Sequence, residues 1–190
     1  MTEFVNISKK YGDKVVFDNF SLSVPEEKIS VIMGESGKGK TTLLSIAAGI
    51  VNPDRGKFVH SGNISYMFQE PRLFSWFTVS RNIEAVLPSD KKHLSRKYLS
   101  FIGMEEDSGK YPRELSGGMK QRVSFARFLA YTEATDANLL LLDEPFSSID
   151  ENMTAAMIEI LKNSAKNKTV LYVTHNSNEA ELVGDNIIEL

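Results

Sequence analysis

One segment of eight residues constrains the fold of this chain more than any other feature. Residues 34–41 read Gly-Glu-Ser-Gly-Lys-Gly-Lys-Thr and match the pattern G-x-x-x-x-G-K-[ST]. A short β-rich run, Ile29–Met33, precedes the segment, and a helical pattern, Thr41–Ala48, follows it. Glycines allow several backbone N–H groups to point inward, and the helix adds its positive N-terminal end. The segment therefore predicts a phosphate-binding loop at a strand–loop–helix junction.

Two residues at the end of this loop have specific expected roles. Lys40 is expected to reach the β- and γ-phosphates of a nucleotide, and the Thr41 hydroxyl is expected to bind Mg²⁺. The other loop residues expected to contact the nucleotide are Gly34, Glu35, Ser36, Gly37, Lys38, Gly39 and Thr42. Phosphate binding alone does not identify the class of protein.

Composition excludes several other classes. The 190 residues contain no cysteine, which excludes a disulfide scaffold, a thiolate metal site and a cysteine nucleophile. The formal net charge is -3, so the chain does not have the excess of basic residues that is typical of nucleic-acid-binding proteins. No nucleic-acid partner is therefore expected. No apolar run approaches the ~18 residues that cross a bilayer, and Met1–Lys10 has no apolar core of a secretory signal. For work at a membrane, another chain must provide the span.

Strand and helix patterns alternate along the chain. The expected strands are Thr2–Ser8, Val15–Val24, Ile29–Met33, Phe58–His60, Ile64–Phe68, Leu139–Leu142, Thr169–Val173 and a strand from Ile187 onward. The expected helical segments are Thr41–Ala48, the more polar insertion Thr78–Lys110 with breaks at Pro88 and Gly103, Gly117–Tyr131 and Asn152–Lys166. This order indicates an α/β fold on a mainly parallel, wound sheet, with functional groups at the carboxyl ends of its strands.

An acidic pair ends one of the expected buried strands. Asp143 and Glu144 directly follow Leu139–Leu142. In proteins with such a phosphate loop, an aspartate at this place holds the Mg²⁺ shell. Glu144 is then placed to orient or deprotonate the attacking water. A strand that ends in acidic residues is a weak signal alone, but the phosphate loop upstream favours the catalytic interpretation.

A second glycine-containing segment begins the long helix expected near the middle of the chain. Residues 115–122 read Leu-Ser-Gly-Gly-Met-Lys-Gln-Arg. Ser116 is a favourable helix N-cap, and Gly117 and Gly118 permit close approach of the backbone to an anion. The segment resembles the LSGGQ signature of ABC ATPases, with a methionine and a lysine before the glutamine.

Four further matches to this family occur in the expected order. The resemblance implies that Tyr11 stacks on adenine and that Gln69 binds Mg²⁺ or the attacking water. Residues 147–150 resemble the segment usually written SALD, with mild departures at its two middle positions. His175 matches the histidine that the family uses as a switch at the end of a strand.

The resemblance therefore implies a full set of site residues, with ATP and Mg²⁺ as cofactors. The residues implied to be catalytic are Glu144, His175 and Gln69. The residues implied to hold Mg²⁺ are Thr41, Gln69 and Asp143. The residues implied to contact ATP outside the phosphate loop are Tyr11, Ser116, Gly117, Gly118, Gln121 and Asp150.

The resemblance extends from about Phe4 to Leu190 and implies one ABC ATPase domain, residues 1–190. Its P-loop NTPase fold would have a RecA-like core with an N-terminal antiparallel β-subdomain, residues 1–70 and 132–190. A helical subdomain at about residues 71–131 would end in the signature helix. The family forms a head-to-tail homodimer, in which each ATP lies between the phosphate loop of one subunit and the signature of the other.

The residues after Gln69 favour a transporter subunit. Residues 69–79, followed by Asn82 and Ile83, resemble the Q-E-P-x-L-L-P-W-x-T-V-x-x-N-V run of nitrate, sulfonate and taurine importers. This implies a cytoplasmic motor subunit on the inner face of the cell membrane. Its partners would be integral membrane permease subunits and, through them, a substrate-binding protein. Trp76 would border the groove that receives the permease's coupling helix.

A soluble ABC ATPase is the alternative. Residues 70–115 are too few for the long coiled coil of the DNA-repair type, and the translation type usually carries two cassettes. The iron–sulfur assembly type remains open. Importer subunits usually continue for several dozen residues beyond the position of Leu190, so we expect no C-terminal regulatory domain here.

Overall fold

The computed structural model describes all 190 residues, Met1–Leu190. The strands are β1 (Thr2–Tyr11), β2 (Lys14–Val24), β3 (Ile29–Met33), β4 (Arg55–Val59), β5 (Ile64–Met67), β6 (Leu139–Asp143), β7 (Thr169–Val173) and β8 (Asn186–Glu189). The α-helices are α1 (Lys40–Ala47), α2 (Val79–Glu84), α3 (Leu94–Phe101), α4 (Gly117–Thr135), α5 (Glu151–Ser164) and α6 (Ser177–Val183). Two 3₁₀ turns cover Ser89–Lys91 and Pro112–Glu114.

A five-stranded parallel sheet forms the centre of the fold, in the order β5-β6-β7-β3-β8. β6 and β7 are buried at every residue, as parallel strands covered on both faces are. Leu140 and Leu142 belong to one apolar cluster, whereas Leu139 and Leu141 belong to the other. Since all strands run the same way, their carboxyl ends lie at one edge of the sheet.

A three-stranded antiparallel sheet, in the order β2-β1-β4, forms the N-terminal part of the fold. Phe4, Ile7 and Phe17 pack in the same apolar cluster as Leu43 and Leu44 of α1. This packing brings the first residues of β2 close to the start of α1. It thereby places the β1–β2 turn beside the predicted phosphate loop.

The segment between β5 and β6 forms the helical unit. α2 and α3 pack against α4 in the larger apolar cluster. Tyr98 of α3 donates a hydrogen bond to Glu133 of α4 at 2.5 Å. The Ser116 hydroxyl caps α4 by accepting a hydrogen bond from the backbone N–H of Met119 at 3.2 Å.

The structure agrees with the expected α/β class and with most of the expected elements. β3 and β7 have the predicted bounds, and the expected insertion forms two short helices separated near Pro88. One helix, α6, is not predicted by the sequence pattern, because only its Glu179, Ala180 and Val183 are buried. None of the helices combines the length and the apolar content that crossing a membrane requires.

Candidate functional site

The predicted phosphate loop connects the carboxyl end of β3 to the N-terminus of α1. Three of its glycines, Gly34, Gly37 and Gly39, have φ values of 143°, 81° and 100°. A Cβ on Gly39 would lie 2.5 Å from Val16 and 2.9 Å from Phe17 of β2. Glycine is therefore required at this position both by the backbone conformation and by the approach of β2.

Lys40 lies beneath this loop with its ammonium group turned towards the backbone. Its Nζ donates hydrogen bonds to the carbonyl oxygens of Gly34 at 2.7 Å and Glu35 at 2.9 Å. The side chain is buried although it is charged. These contacts hold a positive charge at the centre of the loop, where an anion would lie.

A cleft of 590 Å³ opens beside the loop. The residues that line it are Tyr11, Lys14, Val16, Ser36, Gly37, Gly39, Lys40, Thr41, Thr42, Gln69, Glu144 and His175. The cleft thus brings together the predicted adenine-stacking residue, much of the phosphate loop and all three residues predicted to be catalytic. Lys14 and Val16 are not predicted from the sequence, since they reach the cleft only because β2 packs against the loop.

Asp143, at the carboxyl end of β6, is the buried carboxylate of the site and is only 2% exposed. Burial raises its pKa, and the neighbouring charge of Glu144 raises it further. The hydroxyl groups of Thr41 and Tyr66 and the charge of Lys40 oppose this increase in pKa. A carboxylate that is unfavourable to bury alone suits a place where a cation would compensate it.

Mg²⁺ fits these oxygen donors only together with a bound phosphate. No group of three or more His, Cys, Asp or Glu side chains that could hold a metal occurs in the structure. Asp143 and the Thr41 hydroxyl lie beside each other at the loop. Mg²⁺ is commonly bound by one or two protein oxygens together with substrate phosphates and water, which is the donor set available here.

Glu144 lies at the point where three loops meet. Its φ is 44°, a left-handed conformation that is uncommon outside glycine, and its backbone N–H donates to the Val173 carbonyl at 2.9 Å. Its Oε2 accepts a hydrogen bond from Gln69 Nε2 at 3.1 Å and lies 3.3 Å from His175 Nδ1. The three residues predicted to be catalytic therefore meet at one carboxylate oxygen, at the mouth of the cleft.

The predicted signature lies outside this cleft. Residues from the signature, from the segment after Gln69 and from the segment before α5 line a separate cleft of 440 Å³. Its lining residues are Gln69, Glu70, Pro71, Gly117, Lys120, Gln121, Ser147 and Ser148. None of the signature residues lines the phosphate cleft of the same chain.

Two of the residues predicted to contact nucleotide make contacts within the chain. Gln121 is 2% exposed, and its Nε2 donates to the carbonyl oxygens of Pro145 at 2.6 Å and Gln69 at 3.4 Å. The Asp150 carboxylate caps α5 by accepting from Met153 N at 3.0 Å. The buried amide of Gln121 thus ties the segment of Gln69 to the segment that follows Glu144, and its contact with nucleotide stays a prediction.

A third cleft, of 300 Å³ and mostly apolar, lies between the edge of the parallel sheet and the helical unit. Met67, Phe74 and Phe128 contribute to its apolar lining, and Arg72 and Arg127 lie on it. Trp76, in the same segment as Phe74, is 67% exposed and packs its ring against Phe74 at a centroid distance of 5.7 Å. An exposed aromatic residue beside an apolar cleft is typical of a protein-binding surface.

Comparison with known proteins gives a consistent result. The model of the ABC transporter family matches residues 17–147. A sulfate/thiosulfate import ATP-binding protein from Synechocystis sp. is 35% identical, over 96% of this chain and 56% of its own length. An aliphatic sulfonates import ATP-binding protein from Bacillus cereus is 35% identical, over 95% of this chain and 76% of its own length. The chain therefore spans little more than half of the first relative and about three quarters of the second.

Solved structures agree with these relatives. A dimeric post-hydrolysis state of the ATP-binding cassette MJ0796 with ADP and Pi has a TM-score of 0.89 and 26% identity, over 100% of this chain and 94% of that chain. A dimeric structure of MJ0796, a bacterial ABC transporter cassette, has a TM-score of 0.86 and 27% identity over the same shares. Because the family model matches more than half of the residues and the relatives match nearly all of them, the chain belongs to the ABC transporter family.

Proposed function

We propose that this protein is the ATP-hydrolysing subunit of an ABC importer and that it works as a homodimer bound to membrane permease subunits. The observation that carries the proposal is the convergence of Gln69, Glu144 and His175 at the mouth of the phosphate cleft. A simple nucleotide-binding protein needs the loop but does not need a carboxylate held between an amide and an imidazole.

ATP would bind with its phosphates in the loop and its adenine against Tyr11. The loop N–H groups and the α1 N-terminus favour the negative charge of the phosphates. Lys40 would exchange its two carbonyl contacts for phosphate oxygens at little reorganisation, because its ammonium group already lies beneath the loop. The half-exposed ring of Tyr11 lines the same cleft, where it can stack on a base.

Thr41, Asp143 and Gln69 would hold Mg²⁺ once the phosphates are bound. The buried carboxylate of Asp143 beside the Thr41 hydroxyl supports this assignment. When bound, the metal ion neutralises charge that develops on the phosphate oxygens.

Glu144 would act on the attacking water. Its carboxylate is the group at the cleft mouth that can accept the water proton. Gln69 and His175 both contact its Oε2, which restricts the direction in which the other oxygen faces. This contact restricts the carboxylate before the nucleotide arrives, so less ordering remains for the reaction step.

A second copy of the chain would complete each site. The signature residues Ser116 and Gly118 do not reach the phosphate cleft of their own chain, yet the N-terminus of α4 presents donor groups for an anion. A two-fold related copy can present this helix end to the γ-phosphate. ATP would then stabilise the closed dimer, and hydrolysis of ATP would allow the dimer to open. Two similar solved structures are dimeric, and one of them contains ADP and Pi.

The apolar cleft beside Trp76 would receive a helix of the permease. The exposed ring of Trp76 and the apolar lining around Phe74 support a protein partner at this face. This partner would hold the chain at the inner face of the cell membrane, and a substrate-binding protein would act through it. Similar proteins named for import of sulfate and sulfonates favour this function over a soluble iron–sulfur assembly ATPase.

ATP hydrolysis by the purified chain tests the proposal directly. We expect Mg²⁺-dependent turnover that Glu144→Gln abolishes, because the amide cannot accept the water proton. Glu159→Gln, an exposed change of the same chemistry on α5, is the matched control and should leave turnover unchanged. Turnover that survives Glu144→Gln at the wild-type rate would contradict the role of Glu144.

A further inference from the structure

Residues 174–176 form the turn that carries His175, and hydrogen bonds hold this turn at both ends. The backbone N–H of Asn176 donates to Thr174 Oγ1 at 3.1 Å. Asn176 Oδ1 then accepts from the backbone N–H groups of Asn178 at 3.0 Å and Glu179 at 3.2 Å, which caps α6. His175 contributes no side-chain contact to this turn, and its ring faces Glu144 instead.

A buried pair of polar residues joins the two ends of this turn. Tyr172, at the end of β7, is 0% exposed, and Glu179, in the first turn of α6, is 7% exposed. The Tyr172 hydroxyl donates a hydrogen bond to Glu179 Oε1. A buried glutamate is unfavourable unless it is hydrogen-bonded, so an apolar pair would serve better if packing were the only requirement here.

The ring of Tyr172 also contacts the segment that follows Glu144. Its centroid lies 6.3 Å from that of Phe146, and Phe146 packs edge-on against Phe125 of α4 at 5.2 Å. Glu144 itself is attached to the end of β7 through its N–H bond to the Val173 carbonyl. Tyr172 therefore contacts elements on both sides of the His175–Glu144 contact.

We propose that Tyr172 and Glu179 are positioning residues, which hold the turn of His175 so that its imidazole meets the Glu144 carboxylate. The hydroxyl–carboxylate bond fixes the distance between the end of β7 and the start of α6. The aromatic contact between Tyr172 and Phe146 fixes the position of β7 relative to the segment that follows Glu144. Without the bond, the position of residues 174–176 relative to β7 is no longer fixed. We then expect His175 to lose its contact with Glu144. The importance of this contact for hydrolysis rests on the proposed function.

Nuclear magnetic resonance of histidine-labelled protein tests the positioning without requiring turnover. The chain has three histidines, so the His175 Cε1–H signal can be assigned by substitution. Glu144→Gln removes a charge next to this ring and should shift the signal in the wild-type background. We expect no such shift in the Tyr172→Phe background, because the ring has moved away from position 144. A shift as large as in the wild type would overturn the proposal.

Tyr98→Phe is the matched control for this measurement. Tyr98 is also a buried tyrosine that donates to a glutamate, Glu133, but it does so between α3 and α4. The Glu144→Gln shift should persist in the Tyr98→Phe background. Its loss there would mean that general loosening, and not the Tyr172–Glu179 bond, controls His175.

A kinetic double-mutant cycle tests the consequence for hydrolysis. We expect Tyr172→Phe to lower kcat by about tenfold with KM for ATP changed less than about twofold, and to have almost no further effect in a His175→Ala background. Glu179→Gln keeps an oxygen that accepts from Tyr172 and should retain most turnover, whereas Glu179→Ala should not. An equal loss from Tyr172→Phe in both backgrounds would show that Tyr172 does not act through His175. Absence of turnover in the wild type would contradict the proposed function and leave the spectroscopic result to decide the positioning role.

Discussion

The backbone of Glu144 shows how a single residue sets the geometry of the site. A non-glycine residue with a φ of 44° stores local strain, and such residues cluster where a side chain must point in one direction. Here the strained residue comes directly after Asp143, so the two consecutive carboxylates point to different parts of the site. Asp143 is turned into the buried region beside Thr41, and Glu144 faces Gln69 and His175 at the cleft mouth.

Lys40 gives a prediction at the same scale. Lys40→Ala removes the buried ammonium group at the centre of the loop and leaves the carbonyls of Gly34 and Glu35 without it. Charge-assisted hydrogen bonds are worth enough that ATP affinity should fall by about 10- to 100-fold. Isothermal titration with ATP measures this change.

Lys38→Ala is the appropriate comparison for that titration. The Lys38 side chain is exposed and lies 3.9 Å from Glu35, so its backbone N–H and not its ammonium group is expected to contact phosphate. Its alanine variant should therefore keep most of the ATP affinity. Equal losses for both variants would mean that net positive charge, and not the buried position of Lys40, determines binding.

At the scale of elements, the phosphate loop depends on the packing of β2 against the start of α1. Gly39→Ala places a methyl group within 3 Å of Val16 and Phe17, in a backbone conformation that alanine rarely adopts. We expect the free energy of unfolding to fall by about 1–3 kcal/mol. Urea denaturation measures this loss. Gly109→Ala, where a Cβ meets nothing within 4 Å, is the control and should change stability little.

The elements also show which features can be read from the sequence. β3 and β7 are short runs of mostly apolar and β-branched residues, which is the pattern of buried parallel strands, and their bounds agree with the prediction. α6 has too few buried residues to leave a helical pattern, and it is defined by the Asn176 cap and by burial of Glu179. Lys14 and Val16 reach the cleft through packing between sheets, and the inward turn of Gln121 depends on Pro145. Such contacts between distant segments leave no periodic signal in the sequence.

At the scale of the whole molecule, the chain separates two groups of residues that the reaction would need together. The phosphate loop, Glu144 and His175 line one cleft, while Gly117 lines another. The phosphate loop lies at the N-terminus of α1 and Gly117 begins α4, and helix N-termini favour anions. A symmetric dimer would join the first group of each copy to the second group of the other.

Mixing two inactive variants distinguishes this dimer from a site completed within one chain. Lys40→Ala disables the phosphate loop. Gly117→Asp adds an acid that suits the first turn of α4 but would repel a phosphate across the interface, and a Cβ there meets nothing within 4 Å. Each variant alone should be nearly inactive. In an equal mixture, half of the dimers contain one of each chain and one intact site, so hydrolysis should recover to about a quarter of the wild-type rate. A mixture no more active than its two components would contradict the dimer, because a site within one chain cannot be restored by a partner.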